Sequence, residues 1–212
     1  MIITLLTNNL ESWFWQYNKE FAEELENLGF QVNLITKNED LVCGGDFSFF
    51  LACTNIVPAK YLQYHQHNLV IHHSELPKGR GSSPLVWQVI EGENEIVFTL
   101  FEAEEKVDTG NIFMQKNLKL EGHELLDEIF YKRWLLERSM ILNFLDKFPN
   151  VKSCKQEGEE TIYRRRNFKD DELPINQTLD ELFNRFRIVD NDKWPLYFYR
   201  KGHKYYLKIF KG

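Results

Sequence analysis

The chain is expected to be an α/β protein, a mainly parallel sheet carrying a small α+β extension at its C-terminal end. Three observations predict this. From Ile2 to Ile35 the pattern runs strand, amphipathic helix, strand, which is a βαβ opening and implies parallel neighbours. Short apolar runs then recur between polar loops, as strands buried on both faces do. After Pro149 the composition turns basic and polar, and a separate helix and hairpin pattern follows.

The elements follow in order. Ile2 to Leu6 reads as the first strand, and the polar loop Thr7 to Ser12 leads into a helix from about Trp13 to Leu28. Ser12 suits its N-cap. Phe14, Tyr17, Phe21, Leu25 and Leu28 recur at helical spacing, and Gly29 is placed to end the helix. Val32 to Ile35 is a second strand and Asp46 to Ala52 a third. A short helix follows Pro58, and Tyr64 to His67 reads as a polar turn before a fourth strand.

Pro84 to Ile90 suits a helix, with proline in its first turn, Ser82 or Ser83 before it and Gly92 after it. Ile96 to Phe101 and Asn111 to Leu120 are the fifth and sixth strands. From Gly122 to Phe148 an apolar face of Leu125, Leu126, Ile129, Phe130, Trp134, Leu135, Ile141, Leu142 and Leu145 predicts a long helix on the sheet. Its aromatic stripe reads as core. Residues 150–212 are read as a connection and a small unit, set apart from the main domain at 1–149. Thr178 caps a helix from Leu179 to Arg187, and Trp194–Arg200 with His203–Phe210 flank Lys201-Gly202 as a hairpin.

Hydrophobic residues make up 43% of 212, so the chain has the composition of a well-cored globular protein. A net charge of −6 argues against a broad nucleic-acid surface. Three scattered cysteines, Cys43, Cys53 and Cys154, show neither disulfide nor metal spacing and suit a reducing cytoplasm. The N-terminal apolar run is too short for a signal peptide, and no run is long enough to span a membrane.

The functional candidates gather at the fourth strand. Leu69 to Ile71 is an apolar run that ends on His72 and His73 and breaks into the Pro- and Gly-rich loop Ser74 to Gly81. Polar groups at the end of a buried strand, before such a loop, are where open α/β sheets place ligands. The fifth strand leads to Asp108, and a His with an Asp at neighbouring strand ends makes a base and its orienting partner. His65, His67, His72 and His73 also raise a metal site. The intervening strand parts the pairs and no Asp or Cys ligand stands at a typical spacing, so His65 and His67 read as solvated loop residues. The first loop has no GxGxxG, which excludes the usual dinucleotide site. It still suits a phosphate at a helix N-terminus, as well as a plain helix start.

The pattern His72-x-Ser74-x-Leu76-Pro77-x-x-Arg80-Gly81-x-x-Pro84, then Thr99, then Asp108-x-Gly110, resembles the signature of folate-dependent formyltransferases. Each element is weak alone, and the order and spacing make the match specific. The resemblance implies a Rossmann-like catalytic domain and formyl transfer from N10-formyltetrahydrofolate to an amine. It places proton transfer on His72, with Asp108 orienting it. It places the pterin along Asn55, Ile56 and Val57 and the loop at Glu102 and Ala103. Asn8, Asn9 and Ser12 stand where the purine member of the family holds phosphate.

One position departs from the family. Its oxyanion-binding Asn, two residues before the His, is Val70 here, and an apolar side chain cannot take that role. Asn68 shares the facing but lies about 13 Å away at about 3.3 Å per residue. His73, backbone N–H groups or water are the substitutes to consider. Lys78 and Arg80 read as contacts for a substrate phosphate or the folate glutamate tail, or as a solvated turn.

The tail after residue 149 is expected to be too short for the tRNA-reading domain of the methionyl-tRNA enzymes. With the loop Leu76 to Gly81 it is similar to small bacterial sugar N-formyltransferases. The acceptor implied is a UDP- or dTDP-linked 4-amino-4,6-dideoxyhexose, used in surface glycan or nonulosonate synthesis. Tyr163, Arg164 to Arg166, Trp194 and Tyr197 are candidates to hold a diphosphate and stack on a base. Packing of the small unit is the other reading of Trp194 and Tyr197. No metal, nucleic acid or membrane partner is expected, and a homodimer is left open. An aminoacyl acceptor and a non-catalytic folate- or nucleotide-binding module are the alternatives.

Overall fold

The computed structural model describes residues 1–8 and 14–212. Its centre is a six-stranded sheet in the order β2-β1-β3-β4-β6-β7. The strands are β1 (Ile2–Leu6), β2 (Gln31–Ile35), β3 (Gly45–Phe50), β4 (His65–His72), β6 (Glu95–Glu102) and β7 (Ile112–Lys119); β5 (Arg80–Gly81) lies outside this sheet. The pairings β1–β2, β1–β3 and β3–β4 are parallel, whereas β4–β6 and β6–β7 are antiparallel. The parallel part follows from the helical crossover α1 (Phe14–Asn27) between β1 and β2.

The polar turn expected before the fourth strand is instead the start of β4. His65 is buried and hydrogen-bonds through Nε2 to Thr4 Oγ1 at 2.8 Å. His67 stacks on Phe47 with ring centroids 6.0 Å apart, and its Nδ1 meets Glu102 Oε2 at 2.8 Å. Neither is a solvated loop residue. Each polar ring finds a partner on another strand of the sheet, far away in sequence, so local polarity misled.

Helices α2 (Ala59–Leu62), α3 (Pro84–Ile90), α4 (Leu126–Lys147) and α5 (Leu179–Arg187) stand close to their expected places. α4 begins later than its periodicity suggested. The Glu124 carboxylate takes the N–H groups of Glu121 and Gly122 at 2.8 and 3.0 Å, and these bonds make a turn before the helix. Ser83 is the N-cap of α3 but lies in left-handed backbone without a side-chain cap bond.

The main core lies between the sheet and helices α1 and α4. Trp134 is 5.9 Å from Phe14 and 5.5 Å from Phe21, both edge-on, so this part of the stripe is core. Leu135, expected on that face, is exposed, and Leu126 and Phe130 line the main cleft.

A second cluster of Leu173, Leu182, Phe186, Val189 and Leu196 forms under α5 and the hairpin β9 (Leu196–Arg200) with β10 (His203–Leu207). The stretch between the two cores lies against the loop that follows β4. β8 (Ile162–Tyr163) pairs in parallel with β5, and Cys154 bridges Ile112. Arg187 fastens α5 to the main domain. It is fully buried and bonds Asn94 Oδ1 at 2.9 Å and Glu124 Oε2 at 3.3 Å. Among the described residues, no helix is long and apolar enough to cross a membrane.

Candidate active site

Strand alternation puts Val70 and His72 on one face of β4 and turns His73 to the other. β6 runs antiparallel to β4, so its end at Glu102 lies beside Leu69, well short of His72. The connection to β7 carries Asp108 back to His72. Asp108 stands at φ +58, a left-handed conformation that Asp tolerates better than most side chains. Its Oδ2 accepts from Gly81 N–H at 3.0 Å. Its Oδ1 lies 3.7 Å from His72 Nδ1.

His72 Nε2 sits 2.9 Å from the carbonyl of Gly79. A carbonyl only accepts, so Nε2 carries the hydrogen and neutral His72 presents a bare Nδ1 toward Asp108. A proton taken at Nδ1 would leave an imidazolium between a carbonyl and a carboxylate, both of which stabilise it. The loop is held in this shape from outside. Gln156 Nε2 donates to the carbonyls of Asp108 and Gly110 at 3.0 and 2.9 Å, while its Oε1 accepts from Arg80 at 2.7 Å. Gly110 has no room for a side chain, because a Cβ there would lie 1.8 Å from the carbonyl oxygen of Glu102.

The pair lines a cleft of about 840 Å³, whose wall has a mostly apolar part and a more polar part. The apolar part includes Phe50, Ile56, Val57, Leu62, Val70 and Phe101, with Asn55 and Ala103 also in the lining. The other includes Pro84, Leu126, Phe130 and Arg133 with Asp190, Lys193 and Trp194. The expected residues Asn55, Ile56, Val57, Ala103 and Asp108 therefore come together around His72. Glu102 does not line the cleft: its carboxylate is taken up within the sheet, on Asn68 N–H at 2.6 Å and on His67. Cys53 is in the same wall, and burial pushes its thiol up to about 12.

Other candidates are engaged elsewhere. His73 Nε2–H donates to Glu137 Oε1 at 2.7 Å, and burial, followed by the Arg133 charge, brings its pKa down to about 4. That nitrogen is spent, so His73 is poorly placed to replace the missing oxyanion amide. Asn68 sends its amide to the carbonyl of Leu62 at 2.7 Å. Arg80 pairs with Glu160 and Gln156, which makes it a strut between the catalytic loop and the following stretch, not a free phosphate contact.

Tyr163 donates to Glu91 Oε2 at 2.7 Å and stacks on Trp87. Arg165 and Lys78 are exposed and outside the cleft lining. Asn8 accepts from Thr54 N–H at 2.8 Å, while Asn9 and Ser12 lie outside the described residues. Trp194 stands exposed at the cleft rim, and Tyr197 is buried against Phe168 with centroids 4.7 Å apart, so only Trp194 is available to a ligand. Among the described residues no group of His, Cys, Asp and Glu is arranged to hold a metal ion.

Sequence reasoning missed Gln156, Arg133 and Glu137. Gln156 had no local signal, since its contacts are 46 and 48 residues away. Arg133 and Glu137 did have one: an oppositely charged i,i+4 pair set into the apolar face of a helix.

Comparison with known proteins agrees with this geometry. A family described as formyl transferase matches residues 18–143. The methionyl-tRNA formyltransferase of Lactobacillus johnsonii is 30% identical over 171 residues, which is 79% of this chain and 54% of that protein. The chain thus spans about half the length of the curated relatives it matches. The solved methionyl-tRNA formyltransferase from Clostridium thermocellum superposes with a TM-score of 0.83 at 24% identity, covering 96% of this chain and 90% of that one. A sugar N-formyltransferase from a Shewanella species superposes at 0.67 with 18% identity, covering 99% and 97%. At these identities the structural likeness speaks for the fold. With the family match over most of the catalytic domain, and with His72, Asp108 and their loop assembled around one cleft, the chain belongs to the formyl transferase family, the folate-dependent formyltransferases.

Proposed function

We propose that the protein transfers a formyl group from N10-formyltetrahydrofolate to the 4-amino group of a UDP- or dTDP-linked 4-amino-4,6-dideoxyhexose. The observation that carries this is the His72 ring. Its Nε2–H is fixed on Gly79 and its Nδ1 faces Asp108, and both residues line the cleft. The apolar part of the cleft, with Val57, Leu62, Val70 and Phe101 in its wall, suits a flat heteroaromatic ring such as a pterin.

In this reading the acceptor amine attacks the formyl carbon, and a C–N bond forms as the carbonyl electrons move to oxygen. His72 takes the surplus ammonium proton at Nδ1, and Asp108 stabilises the resulting imidazolium. Collapse breaks the bond to N10, which takes a proton back and leaves as tetrahydrofolate. Val70 offers no donor to the oxyanion, so backbone N–H groups or water serve it.

The nucleotide-sugar acceptor is supported by the residues between α5 and β9, which join the cleft lining and include the exposed Trp194 indole. A second reading, an aminoacyl acceptor, is favoured by the sequence relatives, which are methionyl-tRNA formyltransferases. One assay separates them. The protein is incubated with N10-formyltetrahydrofolate and either UDP- and dTDP-linked 4-amino sugars or methionyl-tRNA, and tetrahydrofolate release is followed. Release with a sugar nucleotide supports the first reading, and release only with the aminoacyl acceptor replaces it. Binding of both ligands without turnover would mark a non-catalytic module. His72→Ala is expected to slow turnover by roughly 10²- to 10⁴-fold, and a near-normal rate would refute the assigned role.

A further inference from the structure

The more polar part of the cleft wall contains a cation that the chemistry above does not use. Arg133 projects from α4 into the cleft wall, and its side chain is only 14% exposed. Its Nε donates to Glu137 Oε1 at 2.7 Å. The guanidinium carbon lies over the Phe14 ring, 4.4 Å from its centroid, and 5.7 Å from the centroid of Phe130. Glu137 is nearly buried and also holds His73 Nε2 at 2.7 Å. Burial pushes the Glu137 carboxyl up, but Arg133 and His73 outweigh this and keep it below its usual value, hence ionised.

Glu137 thus fixes the guanidinium by its Nε edge, and the Phe14 ring packs against it. What remains is the Nη1/Nη2 edge. It has no hydrogen bond to any described residue, yet neither atom is among the buried groups left without a partner. The edge therefore looks into the cleft. A rigid guanidinium edge of this kind matches two oxygens of an anion.

We propose that Arg133 is the anchor for the acceptor's diphosphate, held rigid by Glu137 and Phe14. This rests on the nucleotide-sugar reading and specifies it. The anchor hangs from the carboxylate that also holds His73, the residue next to His72, so an anion bound there sets the acceptor on the amine side of the catalytic pair. The geometry also explains a charged pair on an otherwise apolar helix face. Arg133 and Glu137 neutralise each other where buried and leave one donor edge for a ligand.

The test is equilibrium binding of inorganic pyrophosphate, UDP, dTDP and uridine, by calorimetry, to the full chain and two variants. Arg133→Lys keeps the charge but loses the fork. Arg133→Met with Glu137→Gln removes the cation without leaving a bare buried carboxylate, and thermal unfolding reports whether it folds. Expected are binding of pyrophosphate and of at least one nucleoside diphosphate, and a loss of roughly ten- to a hundredfold in both variants, the scale of charge-assisted hydrogen bonds. Uridine binding should be unchanged. Unchanged affinity for pyrophosphate and UDP in a folded variant overturns the proposal, as does failure of all the anions to bind the parent protein. Arg133-dependent binding of pyrophosphate with no gain from the nucleoside would keep the anion site and defeat the nucleotide-sugar reading instead.

Discussion

Replacing Arg187 by Met should loosen the cleft wall that follows α5 without touching the His72–Asp108 pair. Arg187 is fully buried and Glu124 nearly so, which removes the solvent screening that makes surface ion pairs weak. The substitution keeps most of the stem volume but deletes bonds to Asn94 Oδ1 (2.9 Å), Asn184 Oδ1 (3.2 Å), the Glu124 carbonyl (3.3 Å) and Glu124 Oε2 (3.3 Å). Breaking a buried pair costs about 3–5 kcal/mol when the partner is stranded. Glu124 is not stranded. It keeps Lys132 Nζ at 2.6 Å and the N–H groups of Glu121 and Gly122 at 2.8 and 3.0 Å. Burial pushes its carboxyl up, and these partners outweigh burial and bring it down to about 2.

The low end, about 3 kcal/mol, is therefore expected. Urea unfolding followed by Trp fluorescence measures it, and Arg187→Lys should recover part of the loss. The unit that Arg187 anchors supplies Ile188, Asp190, Lys193 and Trp194 to the cleft. So KM for the acceptor should rise more than kcat falls. A change in stability within about 0.5 kcal/mol, the ordinary range of surface substitutions, would refute the latch.

Further outcomes are expected elsewhere. Asp108→Asn keeps the shape of the side chain but removes the charge facing His72 Nδ1; kcat should fall by roughly 10²-fold or more, with folate binding, measured by fluorescence quenching, largely kept. Gly81→Ala places a Cβ 2.3 Å from the Tyr163 carbonyl oxygen at a backbone φ of +97. It should part β5 from β8, displace Asp108 and lower kcat, while the circular dichroism of the sheet persists. Acid should destabilise the fold through His73, whose folded pKa is about 4 against an ordinary 6.5. Neutral His73 contributes its full share above pH 6.5. Below that the unfolded chain gains a proton the native state refuses, so stability falls toward pH 4 by on the order of 3 kcal/mol. Urea midpoints between pH 7 and 4 for the parent and His73→Gln measure this, and parallel curves would refute it.

Some of this architecture was legible locally. The α1, α3 and α5 periodicities, the Thr178 cap and the hairpin about Gly202 depend on neighbours within a few residues, and all stand near their expected places. The His72 loop was legible as well, because its glycines and proline mark a turn at the end of a buried strand. His65 and His67 were not, since the groups that satisfy them, Thr4 and Glu102, come from other strands. Arg80 and Tyr163 carried the right chemistry for a ligand, but their partners Glu160 and Glu91 lie 80 and 72 residues away.

By itself the sequence determined which chemistry the chain carries: a histidine, a carboxylate and a glycine-rich loop at a specific spacing, on elements whose periods are local. Only the tertiary structure decided how they meet. β6 runs antiparallel to β4, so Asp108 reaches His72 through a loop that Gln156 must hold, and not from the end of a neighbouring strand. It also decided which charges are available to a ligand. A charge's availability depends on whether the fold gives it a counter-charge, and that pairing is set by contacts distant in sequence. Arg80 was paired away and Arg133, hidden in a helix face, was left with an open edge.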